Sequence, residues 1–257
     1  VDIAWTVHGY TAGRVSLSHI VELSGLLETA VVGPFALQKL YDSGALDAEY
    51  DETHVLFVNT HWLWHLHTKG KAVTTLADLK GLKICRPTAV IGKLLEELGA
   101  EPVGMSAPRI YESMQRGTID GYMLPWESVK GFRAYEVSDH HTEFCFYAIA
   151  FVLTMNKARY DSLPADLKKV IDDNSGLDGA IRAGQGFDKG DVAGLSATRV
   201  TCAFHKIAGS EREAWEAGAT RITASYLKKL DDKGLPGAET YGNVKAYVAE
   251  CQPELKW

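Results

Sequence analysis

Short apolar runs that end on proline or glycine alternate with segments whose apolar residues recur at helical spacing, and this alternation most constrains the fold. Residues 81–86 read as a strand stopped by Pro87. Residues 89–98 then carry Val90, Ile91, Leu94, Leu95 and Leu98 on one helical face, with Gly99 as the stop. Ser106, as N-cap, with Pro108 in the first turn and Gly117 at the end, brackets a further helix whose stripe is Ile110, Tyr111 and Met114. Residues 118–124 form the next strand, ended by Pro125, and a short helix starts near Trp126. Residues 53–59 and 146–155 are apolar enough for buried strands. Ser162-Leu163-Pro164 opens a long helical segment with Leu163, Leu167, Val170 and Ile171 on one face, and the chain from Glu211 onward reads as helices. The pattern predicts the α/β class with a mostly parallel sheet. Ligands of such sheets sit beyond the carboxyl ends of the strands. Arg86, Leu124-Pro125-Trp126 and the turn after Asn59 are therefore the positions of interest.

Composition narrows the function classes. The 257 residues are 46% hydrophobic and 23% charged, enough for a globular chain with a sizeable core. Asp and Glu total 33 against 27 Lys and Arg, a net charge of −6 with no basic run, which argues against a nucleic-acid partner. The longest nearly pure apolar stretch, 144–153, is too short to cross a bilayer. Cys85, Cys145, Cys202 and Cys251 are dispersed without a C-x-x-C pair and read as buried free thiols. No G-x-S-x-G, P-loop or H-E-x-x-H motif occurs. Gly184-Gln185-Gly186 lacks both the spacing and the preceding strand of a dinucleotide fingerprint. His61, His65 and His67, and likewise His140 and His141, lack the neighbouring ligands of a metal site. No cofactor and no metal are expected.

Arg86 stands out. Cys85 and Arg86 point to opposite faces of their strand, and Pro87 breaks the pairing just beyond. This leaves a planar guanidinium, suited to bidentate carboxylate binding, at the crevice end of the strand. Trp5, Trp62, Trp64 and Trp126 also fall near strand ends or turns. A tryptophan there can stack on a flat or cationic group. Glu127, in the first turn after Pro125, can accept from an amine or hydroxyl.

Several segments together resemble the solute-binding subunit of TRAP (tripartite ATP-independent periplasmic) transporters. They are Asp78-Leu79-Lys80-Gly81-Leu82-Lys83-Ile84 with Arg86-Pro87, and Leu98-Gly99-Ala100-Glu101-Pro102-Val103-Gly104-Met105. Met114-Gln115-Arg116-Gly117-Thr118-Ile119-Asp120-Gly121, Met155-Asn156-Lys157 and Leu163-Pro164-Ala165-Asp166 complete the set. The order holds from Val1 to about Ser175. The resemblance implies a two-lobed periplasmic-binding-protein-like fold with a long interdomain helix. The first lobe would span 1–63 and 150–195, and the second 64–149 and 196–257. It also implies an incomplete first lobe, with an initial strand–helix–strand–helix unit and a leader preceding Val1. By the same resemblance, Arg86 matches the family arginine that pairs with the ligand carboxylate. Leu124 stands where a ligand-contacting Asn is usual, and Ser106-Ala107 where an aromatic often follows the Met105 position.

The implied function is a periplasmic binding protein that captures a small organic carboxylate between two lobes and delivers it to the membrane permease subunits of a TRAP transporter. Trp126, Tyr147, Trp5 and Trp62 would wall the cleft, and Glu127 or Glu143 would read the far end of the ligand. A tryptophan-rich wall with an acid also suits a zwitterion. Two other readings stand beside this one, a ligand-sensing module and an α/β enzyme acting on a small organic acid; fold alone does not choose between them.

Overall fold

In the computed structural model two sheets divide the strands between them. The structure describes all residues except 12, 28–30, 62–63, 144–146, 200–201, 208 and 252–257. In chain order the elements are β1 (Ile3–Val7), α1 (Val32–Asp42), α2 (Asp47–Tyr50), β2 (Thr53–Thr60), β3 (His65–Thr68), α3 (Leu76–Leu79), β4 (Lys83–Arg86), α4 (Ala89–Glu97), β5 (Glu101–Gly104) and α5 (Ile110–Gln115). There follow β6 (Gly121–Leu124), α6 (Trp126–Gly131), β7 (His140–Glu143), β8 (Ala150–Asn156), α7 (Lys157–Asp161), α8 (Ala165–Asp173), α9 (Gly176–Thr198), β9 (Ala203–Lys206), α10 (Gly209–Asp231) and α11 (Gly237–Glu250).

The first sheet has the order β1-β8-β2 and the second β5-β4-β6-β3-β7-β9. The chain crosses from the first sheet to the second between β2 and β3, and returns between β7 and β8. Neither sheet is mostly parallel in the way the pattern predicts: the second is mixed and the first antiparallel. β4 runs parallel to β5 and β6, and β7 to β9, but β3 is antiparallel to both its neighbours and the first sheet is wholly antiparallel. Crossing strands cause this, because a strand that arrives from the other lobe does not follow the helical crossover that enforces parallel pairing.

Local signals explain the elements around β4. Gly81 takes φ +75° just before the strand, and Gly99 takes φ +96° just after α4, a region other residues disfavour. Thr88 caps α4, its hydroxyl accepting from the Ile91 N–H at 3.4 Å. Ser106 precedes a 3-10 turn, Ala107–Arg109, without a side-chain cap bond. The same Thr88 hydroxyl donates to the buried Glu22 of the first lobe at 2.8 Å, so the lobes touch where α4 starts.

Two apolar cores match the two sheets. One gathers Leu66, Ile84, Leu95, Tyr122, Trp126 and Trp215, and the other Ile20, Leu37, Val58, Val152, Leu230 and Val244. The C-terminal helices are shared between them. α10, about 35 Å long at 1.5 Å per residue, puts Trp215 in the second core and Leu230 in the first, and α11 packs on α1. The segment after Pro164 breaks into α8 and α9, with Gly176 at φ +63° between them. The apolar face of α8 is not buried: Leu167 and Val170 are exposed.

Candidate functional site

A cavity of about 790 Å³ lies between the two sheets. The register of the first sheet builds one wall. Trp5 pairs with Leu153 and Val7 with Phe151, so all four side chains share one face. Trp5 and Phe151 stack with centroids 4.6 Å apart and planes within 6°. A register shift between Val55 and Phe57 pairs Phe57 with Leu153, which brings its ring to the same face. From α9, Phe187 closes the box, 5.9 Å from Trp5 and 4.2 Å from the His61 ring.

The opposite wall comes from the strand ends and α6. Trp64, Ala107, Pro108, Leu124, Glu127, Ser128 and Phe132 line it. Trp64 is 4% exposed, and its indole N–H has no hydrogen-bond partner among the described residues. The Tyr10 hydroxyl accepts from the Ala107 N–H at 3.0 Å, which leaves its own proton to donate. Among the described residues no Lys or Arg lines the cavity.

Glu127 is the acid of this wall. One carboxylate oxygen, Oε2, accepts from the Ser128 hydroxyl at 2.9 Å and lies 3.5 Å from His61 Nε2. The His61 and Ser128 contacts hold the Glu127 pKa below its ordinary value, against the opposing effect of burial. α9 fixes the start of α6. The Glu127 N–H donates to Asp191 Oδ1 at 2.7 Å, and a Cβ at Gly194 would sit 2.1 Å from the Trp126 carbonyl oxygen. Asp188, on the same helix, is pushed up to about 6, by burial first and then by the Asp191 charge.

Of the residues expected to bind the ligand, the structure brings Trp5, Leu124 and Glu127 to the cavity. Trp62 lies outside the described residues. Trp126 does not wall the cleft: its ring is 5% exposed and packs in the second core against His65, His67, His141 and Phe204. Tyr147 is 1% exposed and stands behind Trp64, with ring centroids 5.8 Å apart. Glu143 pairs with Lys206 at 3.6 Å on the β7–β9 edge, away from the cavity. Arg86 is half-buried at the end of β4 but outside the lining. Strand alternation turns it toward α4, where its stem lies over Gly92 and its guanidinium over Gly104. It makes no hydrogen bond or ion pair with a described residue. Cys85, on the other face, is a buried thiol pushed up to about 12 by burial.

Tyr10, Phe57, His61, Trp64, Phe132, Phe151 and Phe187 are lining residues absent from the expected site. Trp64, near a strand end or turn, and His61, beside His65 and His67, stand out in the sequence without being assigned to the site, and the glycine run around Phe187 is the other signal. It is not a nucleotide fingerprint but the flat side of α9, where a Cβ at Gly190 would sit 2.6 Å from Glu127 Cγ.

His65, His67 and His141 form a sealed chain. His67 Nε2–H donates to the Leu124 carbonyl at 2.9 Å. Its neutral Nδ1 therefore accepts from His141 Nδ1–H, 2.5 Å away. Burial lowers His65 and His141 to about 4 and His67 well below its ordinary value, with neighbouring imidazoles adding to the effect. Among the described residues no group of three His, Cys, Asp or Glu side chains is placed to hold a metal.

The family model for bacterial extracellular solute-binding protein, family 7 (DctP) matches residues 36–184. A marine-metagenome TRAP solute-binding protein specific for aromatic acid ligands, solved with metahydroxyphenylacetate, is 35% identical, with a TM-score of 0.94 over 98% of this chain and 81% of that one. A TRAP solute-binding protein from Rhodoferax ferrireducens with copurified benzoate is 37% identical, with a TM-score of 0.93 over 97% of this chain and 79% of that one. The C4-dicarboxylate-binding periplasmic protein DctP of Rhodobacter capsulatus is 28% identical over 67% of this chain, and the match spans 51% of that protein's length. Members of this family bind solutes and are not enzymes. The chain belongs to the bacterial extracellular solute-binding proteins of family 7, the DctP-like periplasmic solute-binding subunits of TRAP transporters.

Proposed function

We propose that this chain captures a small aromatic carboxylate in the cavity between its lobes and delivers it to the membrane permease subunits of a TRAP transporter. The observation that carries this reading is the cavity wall. The stacked rings of Trp5 and Phe151, with the tilted Phe187 ring from α9, face Trp64 across the cavity, a surface made for a flat apolar ring and a poor match for a dicarboxylate. Two relatives at 35% and 37% identity were solved with aromatic acids, which supports it.

The carboxylate belongs at the strand-end side. There the Trp64 indole N–H and the Tyr10 hydroxyl offer donors, and the unpaired guanidinium of Arg86 supplies positive charge from outside the wall. A ligand that touches both lobes favours the closed form through its differential affinity.

Calorimetric titration with benzoate, 3-hydroxybenzoate and succinate tests the reading. The aromatic acids are expected to bind and succinate is not. Trp64→Phe should weaken benzoate by about tenfold or more, the scale of a lost hydrogen bond to a charged group. Arg86→Ala should cost less than that. A larger loss in Arg86→Ala would return the anchor to the guanidinium, and binding of succinate alone would end the aromatic reading.

A further inference from the structure

The cavity is polar at one end in a way that the ring and carboxylate of a simple aromatic acid leave unused. Glu127 Oε2 is committed to Ser128 and His61, but Oε1 accepts from no described residue. The acid is held in place from both sides. Asp191 fixes its backbone N–H, and the missing Cβ of Gly190 lets α9 lie against its side chain. A pre-positioned carboxylate oxygen at the edge of an aromatic box is an acceptor that waits for a donor.

We infer that Glu127 is a specificity residue of this cavity, reading a hydrogen-bond donor, hydroxyl or amine, carried on the ring of the bound aromatic acid. The inference rests on the aromatic-acid reading above and deepens it. Charge supports the assignment. Glu127 is backed by Asp188 and Asp191 of α9, and among the described residues no Lys or Arg lines the cavity to offset them. A ligand carboxylate is repelled from this pole, so the acid end of the ligand faces Trp64 and Tyr10 and the ring substituent faces Glu127. His61, 2% exposed and in contact with both Phe187 and Glu127, holds the second oxygen and leaves Oε1 for the ligand. The Glu127 side chain is 38% exposed in the open cavity, so an unsubstituted ring that covers it takes water from Oε1 and gives no donor in return, which makes the pole selective rather than merely permissive.

The test is calorimetric titration of the wild-type chain, Glu127→Leu and Glu127→Gln with benzoate, 3-hydroxybenzoate, 4-hydroxybenzoate and 3-(aminomethyl)benzoate. Wild type should bind at least one substituted acid about tenfold or more tighter than benzoate. Glu127→Leu should erase that preference, the substituted acids losing their advantage over benzoate. Glu127→Gln, which keeps an acceptor without the charge, should retain part of the preference for the hydroxyl and lose it for the ammonium. The hydroxyl and ammonium arms identify which donor the pole reads. If wild type binds benzoate as tightly as every substituted acid, or if the preference survives Glu127→Leu, this assignment is overturned while the aromatic-acid reading stands. If no aromatic acid binds the wild type, both fall together.

Discussion

The stretch 61–67 feeds two aromatic–imidazole clusters of opposite character. His61 and Trp64 face a cavity, beside an ionised Glu127 and the rings of Phe151 and Phe187. His65 and His67 turn into the second core under Trp126, with His141 and Phe204. Leu124 belongs to both, for its side chain lines the cavity while its carbonyl accepts from His67. Residue type does not separate the clusters. What separates them is whether the rings have an acid and open space beside them or a sealed apolar shell. One cluster is built to exchange partners with a ligand, and the other holds the floor beneath it.

The sharpest way to break that contrast is to exchange the roles of two tryptophans. Trp126→Ala empties a core position and should cost about 3–5 kcal/mol, a fall in melting temperature on the order of 10 °C. Trp5 is 48% exposed and stacks on one ring only, so Trp5→Ala should cost less than half as much while weakening benzoate binding. Scanning calorimetry on both variants decides it. Equal destabilisation would show that the cavity wall is as much a part of the core as Trp126.

Acid should act on the sealed cluster next. Its histidines are neutral in the fold, with His65 and His141 near 4 against an ordinary value of 6.5. Folded values below the unfolded one mean that the unfolded chain takes up protons first. The stabilisation is complete above pH 6.5 and is lost as pH falls toward 4, at up to about 1.4 kcal/mol per pH unit for each imidazole. His8 of the first lobe, lowered to about 3 by burial and by His19, adds the same trend. The difference made by His141→Leu therefore isolates the second-lobe cluster. Urea midpoints between pH 7.5 and 4.5 should fall less steeply in that variant than in wild type. Parallel curves would mean that the buried imidazoles are not the proton sink.

The sequence revealed what is local and hid what is not. Pro87, Gly99 and Pro125 end their elements where the backbone rules say they must, so the β4–α4–β5 and β6–α6 units were legible. The pairing β1-β8-β2 joins residues some 150 positions apart, and no local pattern announces it. The strand-end rule located Arg86 and Trp126 along the chain but not on which side of the sheet each one falls. Trp5, Leu124 and Glu127 reached the cavity because strand ends and a helix start define its rim. Phe57 depended on a bulge, and Phe187 on a helix whose glycines resembled a different motif. Both are consequences of tertiary packing.

Glu143 supplies the smallest and most exact control on the comparison. Glu127 follows β6 and Glu143 ends β7, each next to aromatic residues in the sequence, and the sequence offers either as the reader of the ligand. Only Glu127 lines the cavity; Glu143 sits on the β7–β9 edge, 3.6 Å from a Lys206 that is largely in solvent. An exposed pair of that kind contributes about 0–1 kcal/mol. Glu143→Gln should therefore leave the affinity for every aromatic acid unchanged and shift the urea midpoint barely at all. A loss of ligand affinity in Glu143→Gln would mean that the bound state brings the β7–β9 edge to the ligand, and the line between a binding cluster and a supporting one would have to be drawn on the far side of β7.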